Sequence, residues 1–262
     1  MGGKMPTKLH GEATVHPRAR LGENVSIGPY SVVGENVEIG DGTRIGSCVL
    51  LDGHTTLGRN NQVFHGASIG TIPQDLKYKG AKSFVKIGDN NIVREYVTVN
   101  SATGEGESTV IGDKNLLMAY VHVAHNCWIG KNVILANAVN LAGYVNVHDY
   151  AIIGGIVPVH QFVSIGAHAF IGGGSRIAKD VPPFIKVAGN PPRVGGTNSI
   201  GLKRRGFTIE QRVLIKKAYC ILYRSDLNVS QAVQRIEKDI PQTPEVKMFI
   251  DFICSSKRGI TK

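Results

Sequence analysis

The stretch from residue 111 to residue 153 reads IGDKNLLMAYVHVAHNCWIGKNVILANAVNLAGYVNVHDYAII, and every sixth residue in it is aliphatic. The same spacing extends in both directions, and its aliphatic positions are Leu9, Val15, Leu21, Ile27, Val33, Ile39, Ile45, Leu51, Leu57, Val63, Ile69, Ile87, Val93, Val99, Ile111, Leu117, Val123, Ile129, Leu135, Leu141, Val147, Ile153, Val159, Ile165, Ile171 and Ile177. A period of six fits neither an α-helix nor an alternating strand. It predicts a short strand and a turn, repeated so that the aliphatic side chain always points inward.

Three positions of this ladder are not aliphatic: Asp75, Ala81 and Glu105. They fall in two polar stretches, near residues 71–84 and 101–109. We interpret both stretches as loops that leave the repeat at a corner of a coil. Insertions of this kind in repeat proteins are common places for ligand contact.

The repeat fails where prolines enter, first at Val181-Pro182-Pro183 and again at Asn190-Pro191-Pro192. Proline cannot donate a hydrogen bond to a strand ladder, so we expect the repeat to end there. The sequence therefore predicts a mainly β protein, with the repeat over residues 1–190 and a small helical domain over residues 191–262. The 32 glycines of the chain favour a repeat built on tight turns.

The C-terminal segment changes to a helical period. A capping-box pattern of Thr208 and Gln211 predicts the start of a helix, and its apolar face is predicted to consist of Ile209, Val213, Leu214, Ala218 and Leu222. A second helix is predicted to begin near Asn228 or Ser230. A third is predicted at Thr243-Pro244, with proline at its first position.

Composition limits the classes of function. The chain has 262 residues, a formal net charge of +10 and a pI near 9.5, and its most crowded basic residues are Lys203, Arg204, Arg205, Arg212, Lys216, Lys217 and Arg224. Because this excess is local, we interpret it as a docking patch for an anionic substrate or an acidic protein rather than for nucleic acid. The four cysteines are scattered, and no apolar run approaches the ~20 residues of a membrane span. We therefore expect a cytoplasmic protein without a transmembrane segment or a metal.

The six-residue period resembles the hexapeptide-repeat family, whose fold is a left-handed parallel β-helix. The resemblance implies three hexapeptides in each triangular coil, so that residues 18 apart stack about 4.8 Å from one another. It also implies a trimer of parallel prisms with sites in the clefts between subunits.

Two histidines, His122 and His125, stand three residues apart within the ladder. Histidine titrates nearest neutrality, so it is a natural general base. Stacking by 18 places Gly143 one coil beyond His125, and it places His160 roughly 10 Å along the same edge. A base, a glycine N–H that can meet an oxyanion and a further imidazole form a plausible acyl-transfer site.

Four motifs in order sharpen this interpretation: Gln74-Asp75-Leu76-Lys77-Tyr78, His122-Val123-Ala124-His125, Val159-His160-Gln161-Phe162, and Gly201-Leu202-Lys203-Arg204-Arg205-Gly206-Phe207. Together with the length and the C-terminal helices, they resemble the bacterial UDP-N-acetylglucosamine O-acyltransferases, which begin lipid A assembly. The resemblance implies transfer of an (R)-3-hydroxyacyl group from acyl carrier protein to the 3-hydroxyl of the glucosamine ring. It implies no cofactor beyond the thioester arm of the carrier.

The resemblance also implies roles for individual residues. His125 matches the general base and Gly143 the oxyanion donor, while the residues matched to substrate or to the walls of the site are Gln74, Asp75, Lys77, His122, His160, Gln161, Asn198 and Arg204. Gly173 matches the position that measures acyl length, and a glycine there leaves room for a long chain. We assign Arg205, like Lys216 and Lys217, to the carrier protein or to solvent.

Two residues depart from the pattern of that family. Asn126 stands where an acidic residue commonly follows the base, and Tyr144 stands where another histidine is often found. An amide oxygen can fix the tautomer of an imidazole but cannot stabilise an imidazolium as a carboxylate does. We therefore expect a differently tuned base with activity retained.

Three other functions remain open. The scaffold could acylate a UDP-sugar that carries an amine at carbon 3, since a base and an oxyanion donor serve either nucleophile. A γ-type carbonic anhydrase uses the same helix with three histidine ligands to zinc, although the spacing of His122 and His125 does not match its pattern. A non-catalytic trimeric scaffold leaves the loop and basic motifs unexplained.

Overall fold

The computed structural model describes residues 7–262, and most of them form a triangular prism with three sheets of parallel strands as its faces. Sheet A contains β1 (Lys8–Leu9), β4 (Ser26–Ile27), β7 (Arg44–Ile45), β10 (Gln62–Val63), β13 (Ile92–Val93), β16 (Leu116–Leu117), β19 (Ile134–Leu135), β22 (Ile152–Ile153), β25 (Phe170–Ile171), β26 (Ile185–Ala188) and β27 (Arg193–Thr197). Sheet B contains β2 (Thr14–Val15), β5 (Val32–Val33), β8 (Leu50–Leu51), β11 (Ser68–Thr71), β14 (Thr98–Asn100), β17 (His122–Val123), β20 (Asn140–Leu141) and β23 (Pro158–Val159). Sheet C contains β3 (Arg20–Leu21), β6 (Glu38–Ile39), β9 (His54–Leu57), β12 (Phe84–Ile87), β15 (Ser108–Ile111), β18 (Trp128–Ile129), β21 (Asn146–Val147) and β24 (Ser164–Ile165).

Each coil of the prism takes one strand from each sheet in turn, so the chain turns three corners per coil. We name them the AB, BC and CA corners after the sheets they join. The register between stacked strands is 18 residues, as in the pair Ile129 and Val147. From Ile27 onward the aliphatic ladder is at most 3% exposed and fills the interior, whereas Leu9, on the first strand, is 50% exposed.

Both predicted loops leave the prism at the BC corner. Ile69 pairs with Val99, 30 residues away, and Val99 pairs with Val123, 24 residues away. The insertions occupy residues 72–83 between β11 and β12, and 101–107 between β14 and β15. The aliphatic residues of the ladder therefore stay paired across both loops, although the register of β11 with β14 shifts after Ile69, and the two loops project from one edge.

Most turns of the prism do not have glycine at the position with positive φ, in contrast to the role in tight turns that the composition suggested. The corner residue with positive φ, three places after the aliphatic residue, is usually not glycine, as Tyr30 (φ 58°) and Asn126 (φ 59°) illustrate. Glycine recurs instead one place after the aliphatic residue. A Cβ on Gly28 would lie 2.5 Å from the carbonyl oxygen of Gly46 in the next coil, so these glycines permit close stacking of coils.

The first proline pair does not end the prism. After it, β26 still pairs in parallel with β25, through Phe170 with Lys186 and Ile171 with Val187. The second proline pair lies in the connection to β27, which reverses direction and pairs antiparallel with β26. Sheet A therefore extends to Thr197, past the boundary predicted at residue 190, because proline at a corner costs the ladder no donor.

Four helices follow: α1 (Ser199–Arg204), α2 (Ile209–Tyr223), α3 (Val229–Asp239) and α4 (Pro244–Ser255). The capping box of Thr208 with Gln211 is present, and a second one joins Asn228 and Gln231. The predicted apolar face of α2 is partly wrong, since its buried residues are Ile215, Ala218, Tyr219 and Leu222. Ile209 and Val213 are 67% and 45% exposed, because α2 packs on α3 and α4 with an adjacent face.

The end of the chain returns to the prism at Asp180, which is buried. Its carboxylate accepts hydrogen bonds from the N–H of Ser164 (2.8 Å) and the hydroxyl of Ser256 (2.6 Å). The helices are thereby fixed against the last coils. Over residues 7–262, none of the helices combines the length and the hydropathy that a membrane-spanning segment requires.

Candidate active site

His125 lies at the BC corner between β17 and β18, beneath both loops, and is only 7% exposed. Its Nδ1 is 3.0 Å from the side-chain oxygen of Asn126. An amide oxygen can only accept, so Nδ1 carries the proton in this bond. The lone pair of the neutral ring is consequently on Nε2, the nitrogen available for taking a proton.

The orientation of the Asn126 amide is fixed by groups that have a single role. Its oxygen accepts the backbone N–H of Thr103 at 3.0 Å, and its nitrogen is 2.7 Å from a carboxylate oxygen of Glu107. A backbone N–H only donates and an ionised carboxylate only accepts, so exchanging the amide atoms would break both bonds. The amide thereby determines the tautomer of His125.

Gly143 is stacked on His125 in the next coil, as the 18-residue register predicts, and the N–H of Tyr144 donates to the carbonyl of His125. A Cβ on Gly143 would lie 2.3 Å from Cε1 and 2.5 Å from Nε2 of His125. The glycine therefore makes room for the ring. Within residues 7–262 its own N–H has no backbone or side-chain acceptor, which leaves it available for an oxyanion.

Tyr144 forms the side wall of the base. Its ring meets the His125 ring edge-on, with centroids 5.4 Å apart, and stacks on Phe162 of the next coil at 5.0 Å. Its hydroxyl is 3.1 Å from the Thr103 hydroxyl. Tyr144 therefore links the base to the 101–107 loop rather than serving as a second imidazole.

The 72–83 loop brings a carboxylate to the other side of the ring. Asp75 Oδ2 is 3.9 Å from His125 Nε2, while Oδ1 accepts the backbone N–H of Lys77 at 2.9 Å. Gln74 and the Lys77 side chain are exposed on the same loop. The loop thus places polar groups in front of the nitrogen that has the free lone pair.

The motifs contain two other histidines. His160 lies at the BC corner, and His122 lies on the adjacent face, in sheet B. His122 points outward from sheet B with its Nδ1 2.7 Å from the Thr98 hydroxyl, and burial, with a smaller effect of His125, lowers the pKa of His122. His160 is exposed, and its Nδ1 donates to the carbonyl of Gln161 at 3.1 Å. Both histidines therefore flank the base without bonding to it.

Within a single chain, the remaining predicted site residues lie at other corners than the BC corner of His125. Gly173 lies at the AB corner after β25. Asn198 caps α1 and donates to the carbonyl of His168 at the CA corner (3.0 Å), and Arg204 is exposed at the end of the same helix. Neighbouring corners are separated by six residues of chain, up to ~20 Å.

Arg205 is held more tightly than a solvent contact would be. Its guanidinium lies over the ring of Tyr150 at 5.3 Å, and burial lowers its pKa. Beside it, His168 stacks between Tyr150 (4.8 Å) and Phe184 (5.7 Å). Burial, and secondly the charge of Arg205, lowers the pKa of His168 to about 4. The CA corner therefore holds one fixed cation and one neutral imidazole.

A cleft of about 1350 Å³ begins beside Asn126 and Tyr144 and follows the outer face of sheet C to α4. Trp128 and His148 line its prism wall, and Phe252 lines its helical wall. The prism and the helices thus share a groove that begins at two residues in contact with His125, Asn126 and Tyr144. Over the described residues 7–262, no three histidine, cysteine or carboxylate side chains are grouped to hold a metal ion.

Comparison with known proteins places the chain in a class. A model described as "bacterial transferase hexapeptide (six repeats)" matches residues 18–53 and 108–143, and one described as "Udp N-acetylglucosamine O-acyltransferase; Domain 2" matches residues 180–261. The prism is thus that of a hexapeptide-repeat transferase. The fold class predicted from the sequence, a left-handed parallel β-helix followed by a few helices, is confirmed.

Individual relatives narrow this class. The acyl-[acyl-carrier-protein]–UDP-N-acetylglucosamine O-acyltransferase of Myxococcus xanthus is 46% identical over 97% of this chain and 99% of its own, and that of Stutzerimonas stutzeri is 45% identical over 95% and 97%. The crystal structure of a UDP-N-acetylglucosamine acyltransferase from Bacteroides fragilis is 44% identical, with a TM-score of 0.94 over 97% of this chain and 99% of that chain. The chain belongs to the UDP-N-acetylglucosamine O-acyltransferase family.

Sequence reasoning missed two residues of the site, Thr103 and Glu107. Both lie in the 101–107 loop and bind Asn126 from outside the ladder. The only signal was that the loop is polar and opposes a corner that carries Asn126. Periodicity cannot place such residues, because an inserted loop has no register.

Proposed function

We propose that this chain transfers an (R)-3-hydroxyacyl group from acyl carrier protein to the 3-hydroxyl of UDP-N-acetylglucosamine, as the first step of lipid A assembly. The observation that carries the proposal is the buried His125, whose tautomer is fixed by Asn126 and whose Nε2 faces the 72–83 loop. Membership of the family supports the same reaction.

In this mechanism Nε2 of His125 takes the proton of the sugar hydroxyl, and the oxygen attacks the thioester carbon. The oxyanion that forms accepts the N–H of Gly143, a donor already in place before the reaction. When the carbon–sulfur bond breaks, the imidazolium returns the proton to the leaving thiolate. The ester and the free thiol of the carrier are the products, and no cofactor takes part.

The site is proposed to be completed by neighbouring copies in a trimer. Gly173 and the group of Asn198, Arg204 and Arg205 lie at corners other than that of His125. Packing three prisms side by side brings different corners of adjacent chains into one cleft. There Asn198 and Arg204 would bind the UDP-sugar, and Gly173 would leave room for the end of a long acyl chain.

The carrier protein is proposed to dock on the basic surface formed by α1, α2 and the residue after α2, whose exposed members besides Arg204 are Lys203, Lys216, Lys217 and Arg224. These side chains form no salt bridges within residues 7–262. An acidic carrier is attracted by such a field over about one Debye length, ~8 Å at physiological salt.

The test is a transfer assay with UDP-N-acetylglucosamine, its 3-amino analogue and acyl carrier proteins of several chain lengths. We expect the ester product, with its rate reduced at least 100-fold in His125→Ala. His16→Ala is the control, because His16 lies at the same corner of the prism, directly after Val15, which is in the column of Val123 but five strand pairings away from it. No product with any acceptor, or full activity of His125→Ala, would contradict the proposal.

The two acceptors distinguish the rival reaction. Faster turnover of the amine than of the hydroxyl would make the chain an N-acyltransferase that uses the same base. The longest carrier-bound chain that is transferred efficiently would report the space left at Gly173. Replacing Gly173 with methionine should shift that optimum towards shorter chains.

A further inference from the structure

A carboxylate stands behind the Asn126 amide, and neither the repeat nor the motifs assign it a role. Glu107 Oε2 accepts the Asn126 Nδ2 donor at 2.7 Å and the backbone N–H of Gly104 at 3.0 Å. The amide oxygen of Asn126, in turn, accepts Nδ1 of His125. Carboxylate, amide and imidazole thus form one continuous chain of hydrogen bonds.

We infer that Glu107 is a positioning residue for the base, which it orients and polarises through Asn126. This inference rests on the proposed general-base role of His125. In a carboxylate–histidine pair the acid holds the tautomer and stabilises the imidazolium. Here the two tasks are divided: Asn126 holds the tautomer, and Glu107 supplies the negative charge one side chain further away.

The division follows from what each group can do. Without Glu107, the Asn126 amide would retain the N–H of Thr103 as a partner for its oxygen but would have no acceptor for its nitrogen. With Glu107, the donor is satisfied and the amide dipole is aligned with its oxygen towards His125. Hydrogen bonds in such a chain polarise one another, so the amide oxygen becomes a better acceptor for an imidazolium.

The same geometry predicts the effect of Asn126→Asp. A carboxylate at position 126 would replace the donor that is now 2.7 Å from Glu107 Oε2. Two carboxylates at that distance cannot both ionise and must share a proton. The single change should therefore impair the base, whereas adding Glu107→Gln would supply an amide donor to the new carboxylate and restore it.

The charged and titratable groups that face His125 determine how a pH profile is interpreted. They are Asp75, whose Oδ2 is 3.9 Å from Nε2, His122 on the adjoining strand, Tyr144 against the ring, and Glu107 through Asn126. Only Glu107 reaches the ring on the Nδ1 side. Its removal therefore tests that side without disturbing the side that faces the acceptor.

The experiment compares Glu107→Ala, Glu107→Gln, Asn126→Asp and the Glu107→Gln/Asn126→Asp double variant in the transfer assay. We expect kcat to fall about tenfold or more in Glu107→Ala with KM nearly unchanged, because the lost interaction acts on the transition state. Glu107→Gln can keep both bonds but lacks the charge. Its loss should be smaller, and the acid limb of its kcat/KM profile should move to lower pH by about 0.3 to 0.5 unit, since the charge is partly screened by solvent.

Glu105→Gln is the matched control. It removes the same charge from the same loop, but Glu105 binds the backbone N–H of Lys82 (2.7 Å) and not Asn126. We expect this variant to behave like the parent protein. If the Glu107 variants match Glu105→Gln in kcat and pH profile, or if the double variant is no better than Asn126→Asp, the inference is wrong.

A readout without substrate separates this inference from the proposed function. The ¹⁵N shifts of the His125 ring in labelled protein report which nitrogen carries the proton, with assignment by comparison with His125→Ala. We expect the Nδ1–H form in the parent protein and a mixture of tautomers in Glu107→Ala. An inactive parent protein with this shift difference would overturn the function and keep the positioning role. An active parent protein whose His125 shifts are the same as those of Glu107→Ala would keep the function and overturn the positioning role.

Discussion

The prism and the C-terminal helices hold their side chains in place by different means. In the prism, a corner such as Gly143-Tyr144 is fixed by backbone bonds to the coils on both sides: the N–H of Tyr144 donates to the carbonyl of His125, and the carbonyl of Gly143 accepts the N–H of Phe162. In the helical region, α2 and α3 each begin with a two-residue capping box, and their positions depend on how their side chains pack. A helix that shifts slightly keeps its own bonds, whereas a coil that shifts breaks those of its neighbours.

This difference matches the chemistry that each region has. A base must stand within a few tenths of an ångström of its proton, and the candidate base is on the prism. Attraction of an acidic partner acts over several ångströms, and the surface proposed for the carrier protein lies on α1 and α2. The two regions can therefore be disturbed separately. Substitutions in the prism, in the helical region and where the two meet test whether their effects are independent.

The largest effect is expected from Gly143→Ala in the prism. The new Cβ would lie 2.3 Å from Cε1 of His125, and the ring must move because the corner backbone is held from both sides. We expect kcat to fall at least 100-fold, within the usual contribution of a general base. The urea concentration at the midpoint of unfolding should stay close to that of the parent protein.

Gly11→Ala is the control for that substitution. Gly11 also stands two places after a ladder residue, Leu9, but a Cβ there meets nothing within 4 Å. This variant should keep the parent rate and stability. Parent-level turnover in Gly143→Ala would mean that the ring of the base lies elsewhere during the reaction.

A medium effect is expected from Asn228→Ala in the helical region. Asn228 accepts the N–H of Gln231 at 3.0 Å, and Gln231 bonds back to the N–H of Asn228. Loss of such a cap costs about 1 kcal/mol, so amide hydrogen exchange in α3 should speed up about fivefold. Exchange at prism amides such as Leu135 and the rate of acyl transfer should not change.

Thr243 offers the matched comparison for the cap. It occupies the same position before α4 but makes no capping bond through its side chain. Thr243→Ala should leave exchange in α4 nearly unchanged. Equal acceleration in both helices would show that the N-terminal residue, and not its hydrogen bond, sets the stability of these ends.

The same contrast explains what could be read from the sequence. With the three strands per coil that the resemblance to the hexapeptide-repeat family implied, the six-residue ladder predicted the faces, the register and the stacking of Gly143 on His125. It could not indicate that the 101–107 loop places Glu107 behind Asn126, since a loop outside the register is placed by its own hydrogen bonds. The face of α2 was partly wrong for a related reason: Ile209 and Val213 fit a helical stripe, but packing selected an adjacent one.

The last effect, a change in the pH dependence of stability, is expected where the two regions meet, at His168. Its pKa of about 4 in the folded protein is below the ordinary value of about 6.5, so between these values the unfolded chain binds more protons. Stability contributed by the neutral ring is present above about pH 6.5 and is lost as the pH falls towards 4. Arg205 lowers this pKa and Asp149 raises it, while burial has the larger effect.

His168→Phe should remove this dependence while keeping the stack between Tyr150 and Phe184, and it also removes an Nδ1 that has no partner within residues 7–262. We expect its urea midpoint to fall less than that of the parent protein between pH 7 and pH 5. Part of the slope should remain, because burial also lowers the pKa values of His122 and His148. His16→Gln is the control and should keep the parent slope. If the urea midpoint of His168→Phe falls between pH 7 and pH 5 as much as that of the parent protein, then His168 does not contribute to the pH dependence of stability.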